Sequence, residues 1–425
     1  MQSVSRQTDI AIVGGGLVGA SLALALSQLQ LSVTLFEAHP FGPSDRPGDQ
    51  PSFDDRTTAI SNGSRRIFEG IGVWPLLERE ATAIRRIHIS DQGRFGFARI
   101  DAQEQQLAAL GFVLVNRDIG AALWRRLQEA SITVIAPARV TSIDVAGDHR
   151  LVTFEHGEQP ATTVQAKLVI AADGARSTVR ESAGIAAETW DYDQVALTAN
   201  IHTQKFHDHV AYERFTPAGP IAILPLSEAR SGLIWTLRPA VAQEVMALDD
   251  AAFLARLQKE FGFRLGRITR VGRRHTYPLS LTRSEEYVAE RLAVVGNAAQ
   301  ALHPIAGQGF NLGLRDAASL AEVLADARAA SSNEPFDAGD GLHLQRYGEW
   351  RGADRSRIVG FTDGLVRLFT QPFGPVKLLR DAGLLAFDLL PAAKDAMSQL
   401  SLGAAGRVPR LARGAKLTPG SPHAT

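Results

Sequence analysis

The sequence predicts an α/β chain in two lobes, one built on a parallel sheet and one on an inserted mixed or antiparallel sheet, with a helical region at the C-terminal end. Three observations predict it. An apolar run at 10–13 ends in Gly14-Gly15-Gly16, passes into the Ala- and Leu-rich stretch 17–29, and is followed by a second apolar run at 32–36. This β-turn-α-β order opens a parallel sheet with a right-handed crossover. Residues 195–237 are mostly of period two, as in an antiparallel sheet with one covered face. Leu292-Ala-Val-Val295 then returns to the style of a buried parallel strand, so the chain leaves the first lobe and comes back.

Between these landmarks, 40–51 is rich in Pro, Gly and Asp and reads as a loop, and 57–70 reads as a helix. Strand-like runs at 87–90 and 112–115 flank a polar segment, and 119–130 is an amphipathic helix pattern. Residues 140–154 and 163–171 alternate like strands around a polar turn near Gly157, and 312–329 reads as a helix. The expected division is a first lobe of 1–75, 101–185 and 286–335, a sheet lobe of 76–100 and 186–285, and a helical region with a basic tail over 336–425.

The bulk properties narrow the functions. Lys plus Arg and Asp plus Glu number 45 each, so no global field favours a nucleic acid or another polyanion. Cysteine is absent, which removes disulfides, thiolate metal sites and Fe–S clusters, and redox chemistry must come from a bound cofactor. The polar start and the lack of an apolar run of ~18 residues lead us to expect a cytoplasmic chain.

Gly14-Gly15-Gly16-Leu17-Val18-Gly19 follows a strand and opens a helix, with Glu37 at the end of the next strand. Gly14 permits the tight turn, Gly16 lets the backbone approach a pyrophosphate at the helix N-terminus, and Gly19 lets helix and strand pack closely. Glu37 is spaced to accept hydrogen bonds from the ribose hydroxyls. The pattern is Rossmann-like, and a turn without a ligand would leave Glu37 unexplained.

Two further segments complete the pattern. One is Leu168-Val-Ile-Ala-Ala-Asp173-Gly174-Ala175-Arg176-Ser177; the other is Leu292-Ala-Val-Val-Gly296-Asn297, continuing through His303-Pro304-Ile-Ala-Gly307-Gln308-Gly309-Phe310-Asn311-Leu312-Gly313. The turn at Gly307, Gln308 and Gly309 places backbone N–H groups where a helix begins, suited to an anionic reduced ring. Taken singly, Asp173-Gly174 could be an ordinary turn and 307–313 a plain joint between loop and helix.

Together, over nearly the whole chain, these segments resemble the class A flavoprotein aromatic hydroxylases and, within them, the FAD-dependent hydroxylases of ubiquinone biosynthesis. Ala211-Tyr-Glu-Arg-Phe215, Gly219-Pro-Ile-Ala-Ile-Leu-Pro225 and Thr362-Asp-Gly-Leu365 strengthen the likeness, and Leu302-His-Pro304 is similar to members that act on 2-polyprenyl-6-methoxyphenol. The resemblance implies a glutathione-reductase-like three-layer FAD-binding domain. It implies that Asp173 and Gly174 serve FAD and the nicotinamide donor, and that Asn297, Pro304, Gly307, Gln308, Gly309, Asn311 and Leu312 surround FAD. Asn297 stands where the family usually has Asp. Arg56 is expected beside the flavin, or else in a surface ion pair with Asp54 or Asp55; Asn116 and Arg117 match another contact point.

The implied reaction uses FAD, NAD(P)H and O2, and delivers one oxygen from a flavin C4a-hydroperoxide to 2-polyprenyl-6-methoxyphenol, giving 2-polyprenyl-6-methoxy-1,4-benzoquinol. With one glycine triplet in the sequence, NAD(P)H is expected in a groove rather than a second nucleotide lobe. His303 is the candidate catalytic base, or else a histidine held at a helix entry. The sheet lobe would wall the substrate cavity near Tyr212, Arg214, Pro220 and Trp235. Leucines and phenylalanines across 360–390 and the basic residues Arg407, Arg410, Arg413 and Lys416 suit a peripheral membrane contact, and equally a helical cap on the first lobe. Other quinone-synthesis proteins are expected partners. The alternatives are a related flavin hydroxylase of another ring position or another hydrophobic aromatic, a flavin-free NAD-dependent dehydrogenase, and, in a different class, a non-catalytic FAD-containing scaffold.

Overall fold

A computed structural model describes residues 4–40, 54–93, 97–301, 308–331, 336–354 and 406–417. The expectations for His303, Pro304, Gly307 and the 360–390 segment lie outside the described residues.

The strand Val4–Val13 is central because it is apolar on both faces: Ile10, Ala11 and Ile12 are fully buried. It pairs in parallel with Thr162–Ala171 on one side and Val33–Phe36 on the other. Ile132–Ile135 continues the sheet beyond Val33–Phe36, and Leu292–Val294 beyond Thr162–Ala171. One face is covered by Leu17–Ser27, Asn116–Glu129 and Gln308–Ala330, which share one hydrophobic core. On the other face lies the antiparallel hairpin Arg139–Ala146 and His149–Glu155, whose Ile143, Val152 and Phe154 pack against Val13, Phe36 and Val169. Helices, parallel sheet and hairpin make the three-layer, Rossmann-like lobe.

A nine-stranded mixed sheet forms the second lobe, in the order Gln300–Ala301, His275–Ser284, Ala187–Thr203, Arg230–Leu237, Ile221–Pro225, Val210–Phe215, Arg86–Asp91, Phe97–Asp101, with Ile268–Val271 branching off Ala187–Thr203. Its pairs are antiparallel except Val210–Phe215 with Arg86–Asp91. The helices Pro239–Ala247 and Asp250–Phe261 cover one face through Trp235, Phe253, Leu257 and Phe261. A three-stranded antiparallel sheet, Thr57–Ser61, Gly111–Val115 and Thr82–Ile84, packs near the opposite face.

Three local expectations change. Residues 57–70 are a strand, Thr57–Ser61, followed by a helix, Asn62–Gly70. The β-branched Thr57, Thr58 and Ile60 favour the strand, and Ser61 caps the helix by accepting from the Ser64 N–H at 3.2 Å. The alternating stretch 140–171 holds three strands, because Gly147, at φ +66°, adds a turn before the one near Gly157. The long late helix begins at Gln308, four residues before Leu312.

Candidate active site

A cavity of about 990 Å3 lies where the parallel sheet, the small sheet and the open face of the nine-stranded sheet converge. That is the upper end of the ~300–1,000 Å3 range of ligand pockets. Its two halves differ chemically.

At the first half, Gly14 has φ +106°, and a Cβ there would lie 2.4 Å from the Ala172 carbonyl oxygen. Gly19 faces away from the cavity; its Cβ would come within 1.9 Å of the Gly14 oxygen, so helix and strand meet backbone to backbone. Gly16 is the N-cap of Leu17–Ser27 with no side-chain cap and no acid in the first turn. The first N–H groups of the helix are left for an anion, and Gly16, Leu17 and Val18 border the cavity. Glu37 accepts from the Gly15 N–H at 2.7 Å and the His39 N–H at 2.9 Å, one per oxygen, which fixes the carboxylate and leaves lone pairs on both oxygens.

Across from this cradle, Asp173 accepts from the Ser177 hydroxyl and the Val179 N–H and so holds its own turn, while Gly174, at φ +90°, faces open space. Both border the cavity, as does the exposed Asn297. Arg56 pairs with Asp54 at 2.5 Å, lies 4.5 Å from the centre of the Tyr277 ring, and also borders the cavity, so the ion pair and the cavity position coexist. Burial and the nearby Asp54 carboxylate push the Tyr277 hydroxyl up. Asn116 is buried, accepts from Thr58 at 2.6 Å and donates its backbone N–H to the Arg56 carbonyl, tying the start of the strand Thr57–Ser61 to the helix Asn116–Glu129. Arg117 points instead to Asp55.

The helix begins at Gln308, so its first turn spans residues 308–311. Leu312 therefore falls in the second turn, with its side chain 1% exposed and away from the cavity, and an N–H role for it is not supported. Gly309 faces open space beside the cavity. Asn311 accepts from the Ser61 N–H at 2.8 Å and the Ser64 hydroxyl at 2.7 Å, and donates to the Ala59 carbonyl at 2.9 Å, so its amide fastens this helix to the small sheet.

The second half is the open face of the nine-stranded sheet. Residues paired across strands point to one side. The row Ile89, Glu213, Ala222, Ile234, Thr198 therefore faces the cavity, where Ile87, Ala211 and Leu224 join it. Trp235 lies in the helix-covered core; the Tyr212 ring packs edge-on against Phe261, and Arg214 donates to the Glu260 carbonyl. Of the residues expected at the substrate wall, Trp235, Arg214 and the Tyr212 ring thus turn the other way, although Tyr212 still borders the cavity, and Glu213 between Tyr212 and Arg214 faces in. It is partly buried, and desolvation pushes its carboxyl up to about 7. The signal was in the sequence: with period two, Ala211 and Glu213 share one side and Tyr212 and Arg214 the other. Arg139 and Tyr277, also unforeseen, border the cavity.

Residues 7–335 match the FAD binding domain family. The chain is 38% identical over 421 residues to ubiquinone hydroxylase UbiL of Rhodospirillum rubrum, covering 98% of this chain and 95% of the relative. It is 32% identical over 406 residues to the 3-demethoxyubiquinol 3-hydroxylase of Escherichia coli, covering 94% and 99%. To the mitochondrial ubiquinone biosynthesis monooxygenase COQ6 of Homo sapiens it is 30% identical over 434 residues, covering 91% of each. Among solved structures, p-nitrophenol 4-monooxygenase PnpA from Pseudomonas putida shares the fold, with a TM-score of 0.73 at 20% identity over 95% of this chain and 100% of that one.

Proposed function

We propose that this chain, which belongs to the FAD binding domain family and within it to the FAD-dependent hydroxylases of ubiquinone biosynthesis, hydroxylates 2-polyprenyl-6-methoxyphenol to 2-polyprenyl-6-methoxy-1,4-benzoquinol. The chain is an FAD-dependent aromatic monooxygenase that uses NAD(P)H and O2. The observation that carries the substrate reading is the continuity of the cavity, from a glycine cradle with a fixed acid to an apolar sheet face.

The residues present fit FAD. The uncapped helix start at Gly16 suits a diphosphate, the free lone pairs of Glu37 suit ribose hydroxyls, and Gly174 and Gly309 face open space beside the cavity. Bound FAD supplies acceptance of a hydride from NAD(P)H and activation of O2. The N–H groups at the start of Leu17–Ser27 would hold the diphosphate. Arg56, steadied by Asp54 and Tyr277, brings a cation to the middle of the cavity. Ile87, Ile89, Ala222, Leu224 and Ile234 exclude water and accept a ring with an aliphatic tail.

A polyprenyl tail is insoluble in water, so the reading includes peripheral contact with the cytoplasmic face of a membrane and work beside other quinone-synthesis proteins. Among the described residues, no helix is long and apolar enough to cross a membrane. A second reading, hydroxylation at the position of 3-demethoxyubiquinol, is favoured by the name of the Escherichia coli relative. Mass spectrometry of lipids from a deletion strain grown in air separates the two. Accumulated 2-polyprenyl-6-methoxyphenol supports the first and accumulated demethoxyubiquinol the second. Unchanged ubiquinone, in a host without a second hydroxylase for the step, removes both.

A further inference from the structure

We propose that Glu213 takes the proton of the substrate's phenol hydroxyl, so that the ring reacts as a phenolate; this deepens the reading of the cavity as a phenol hydroxylase and rests on it. Glu213 sits on Val210–Phe215 with Ile89 opposite it on one neighbouring strand and Ala222 on the other, and Ile234 and Thr198 continue the row. It is the carboxyl of this half of the cavity among the described residues. The carboxylates of the other half are engaged: Glu37 with the Gly15 and His39 N–H groups, Asp173 with Ser177 and Val179. Arg214, next in sequence, is on the opposite side of the sheet and donates to the Glu260 carbonyl.

A carboxyl set among isoleucines and alanines, with no hydrogen-bond or ion-pair partner among the described residues, is a group that a fold keeps for a reason. Here the space in front of it is the space that fits a phenol ring. Burial lifts the carboxyl to about 7, closer to the ~10 of a phenol than an ordinary carboxylate near 4. Of the titratable groups around the cavity, Tyr277 shares its sheet face with Arg56 stacked on its ring, and Tyr212 turns its ring to the opposite face; Glu37, His39, Arg139, Asp173 and Arg176 belong to the dinucleotide half.

In the step, the phenol O–H bond breaks and its electron pair stays on the phenol oxygen. The proton goes to a Glu213 carboxylate oxygen, giving a neutral acid and a phenolate. No electron is transferred to or from the protein. After the ring is hydroxylated, the acid returns the proton to the same oxygen as product leaves, and Glu213 is restored.

The test uses FAD-loaded wild type and Glu213→Gln with a short-chain 2-prenyl-6-methoxyphenol and with a ring-fluorinated analogue that ionises at lower pH. Flavin content checks that the variant folds. At pH 7, hydroxylated product per second should fall ~100-fold or more in the variant. The loss should shrink as pH rises and with the fluorinated phenol, because each supplies phenolate without the carboxyl. Independently of any variant, the wild-type rate should rise with pH through a midpoint around pH 7, where the carboxyl loses its proton and can accept that of the phenol. Equal rates and equal pH profiles for wild type and variant would overturn the proposal, as would a wild-type rate that is flat across pH 6–9. So would loss of the pH-dependent rise in rate in His303→Ala with its retention in Glu213→Gln. If instead the wild type hydroxylates neither phenol, it is the functional reading that fails.

Discussion

Gly14 and Glu213 show two kinds of constraint on single residues. Gly14 is required by backbone geometry, since its positive φ and its approach to Ala172 exclude any Cβ. Such a demand is local, so the glycine pattern and the acid one strand later were legible in the sequence. Glu213 is defined by which side of a strand it occupies, and that depends on neighbours more than a hundred residues away in the chain. A third residue, His88, lies on the helix-covered face with the Tyr212 ring at 5.7 Å. Burial, followed by the charges of Arg264 and Arg99, lowers it from 6.5 to about 4. It is neutral in the folded protein, whereas the unfolded chain takes up a proton below about 6.5. The stability it contributes is therefore present above that pH and is lost as pH falls from 6.5 towards 4. Between pH 7 and pH 4.5, the thermal midpoint of the wild type should fall a few degrees further than that of His88→Gln. Parallel curves for the two proteins would remove His88 from the acid limb.

Among the elements, the helix Gln308–Ala330 and the strand Thr57–Ser61 depend on each other through Asn311. Asn311→Ala leaves the Ser61 N–H and the Ala59 carbonyl without that partner in a buried joint. It should cost ~1–3 kcal/mol for each group and loosen flavin, read as a lower thermal midpoint and a lower flavin-to-protein ratio. A variant with unchanged midpoint and flavin content would show that the joint holds without the amide. Sequence periodicity found the helix but set its start late, because the glycine-rich segment before Leu312 reads as a turn. It merged a strand and a helix over 57–70, although Ser61 and the residues after it carry a capping signal. The order of strands in the nine-stranded sheet was not legible, since pairing is chosen by packing rather than by any one segment's pattern.

At the scale of the whole molecule, the cavity has no single owner: three sheets contribute to it, and a buried charge network behind it fixes one of its turns. Arg351, fully buried, pairs with Asp316 at 2.8 Å and Asp354 at 2.6 Å, and Arg315 also pairs with Asp354 at 2.9 Å. Asp316 in turn accepts from the Gly296 N–H and the Gln300 amide, just beside Asn297. Asp316→Asn removes a negative charge from a dry cluster of two arginines and two aspartates. The expected loss is ~3–5 kcal/mol, seen as a lower denaturation midpoint together with weaker flavin retention. A shift under about 1 kcal/mol would show that water or rearrangement satisfies Arg351 once the charge is gone.

The parallel pairing of Val210–Phe215 with Arg86–Asp91 also bears on how the chain is made. Arg86–Asp91 leaves the ribosome roughly 120 residues ahead of its partner, on the order of 10 s at ordinary rates of translation. For that interval the nascent chain carries an open strand edge with Ile87 and Ile89 on it, a template for pairing with other chains. Truncated products that end before residue 210 are therefore the species that need chaperones, and faster synthesis or a missing downstream half should appear as aggregation rather than as slow catalysis.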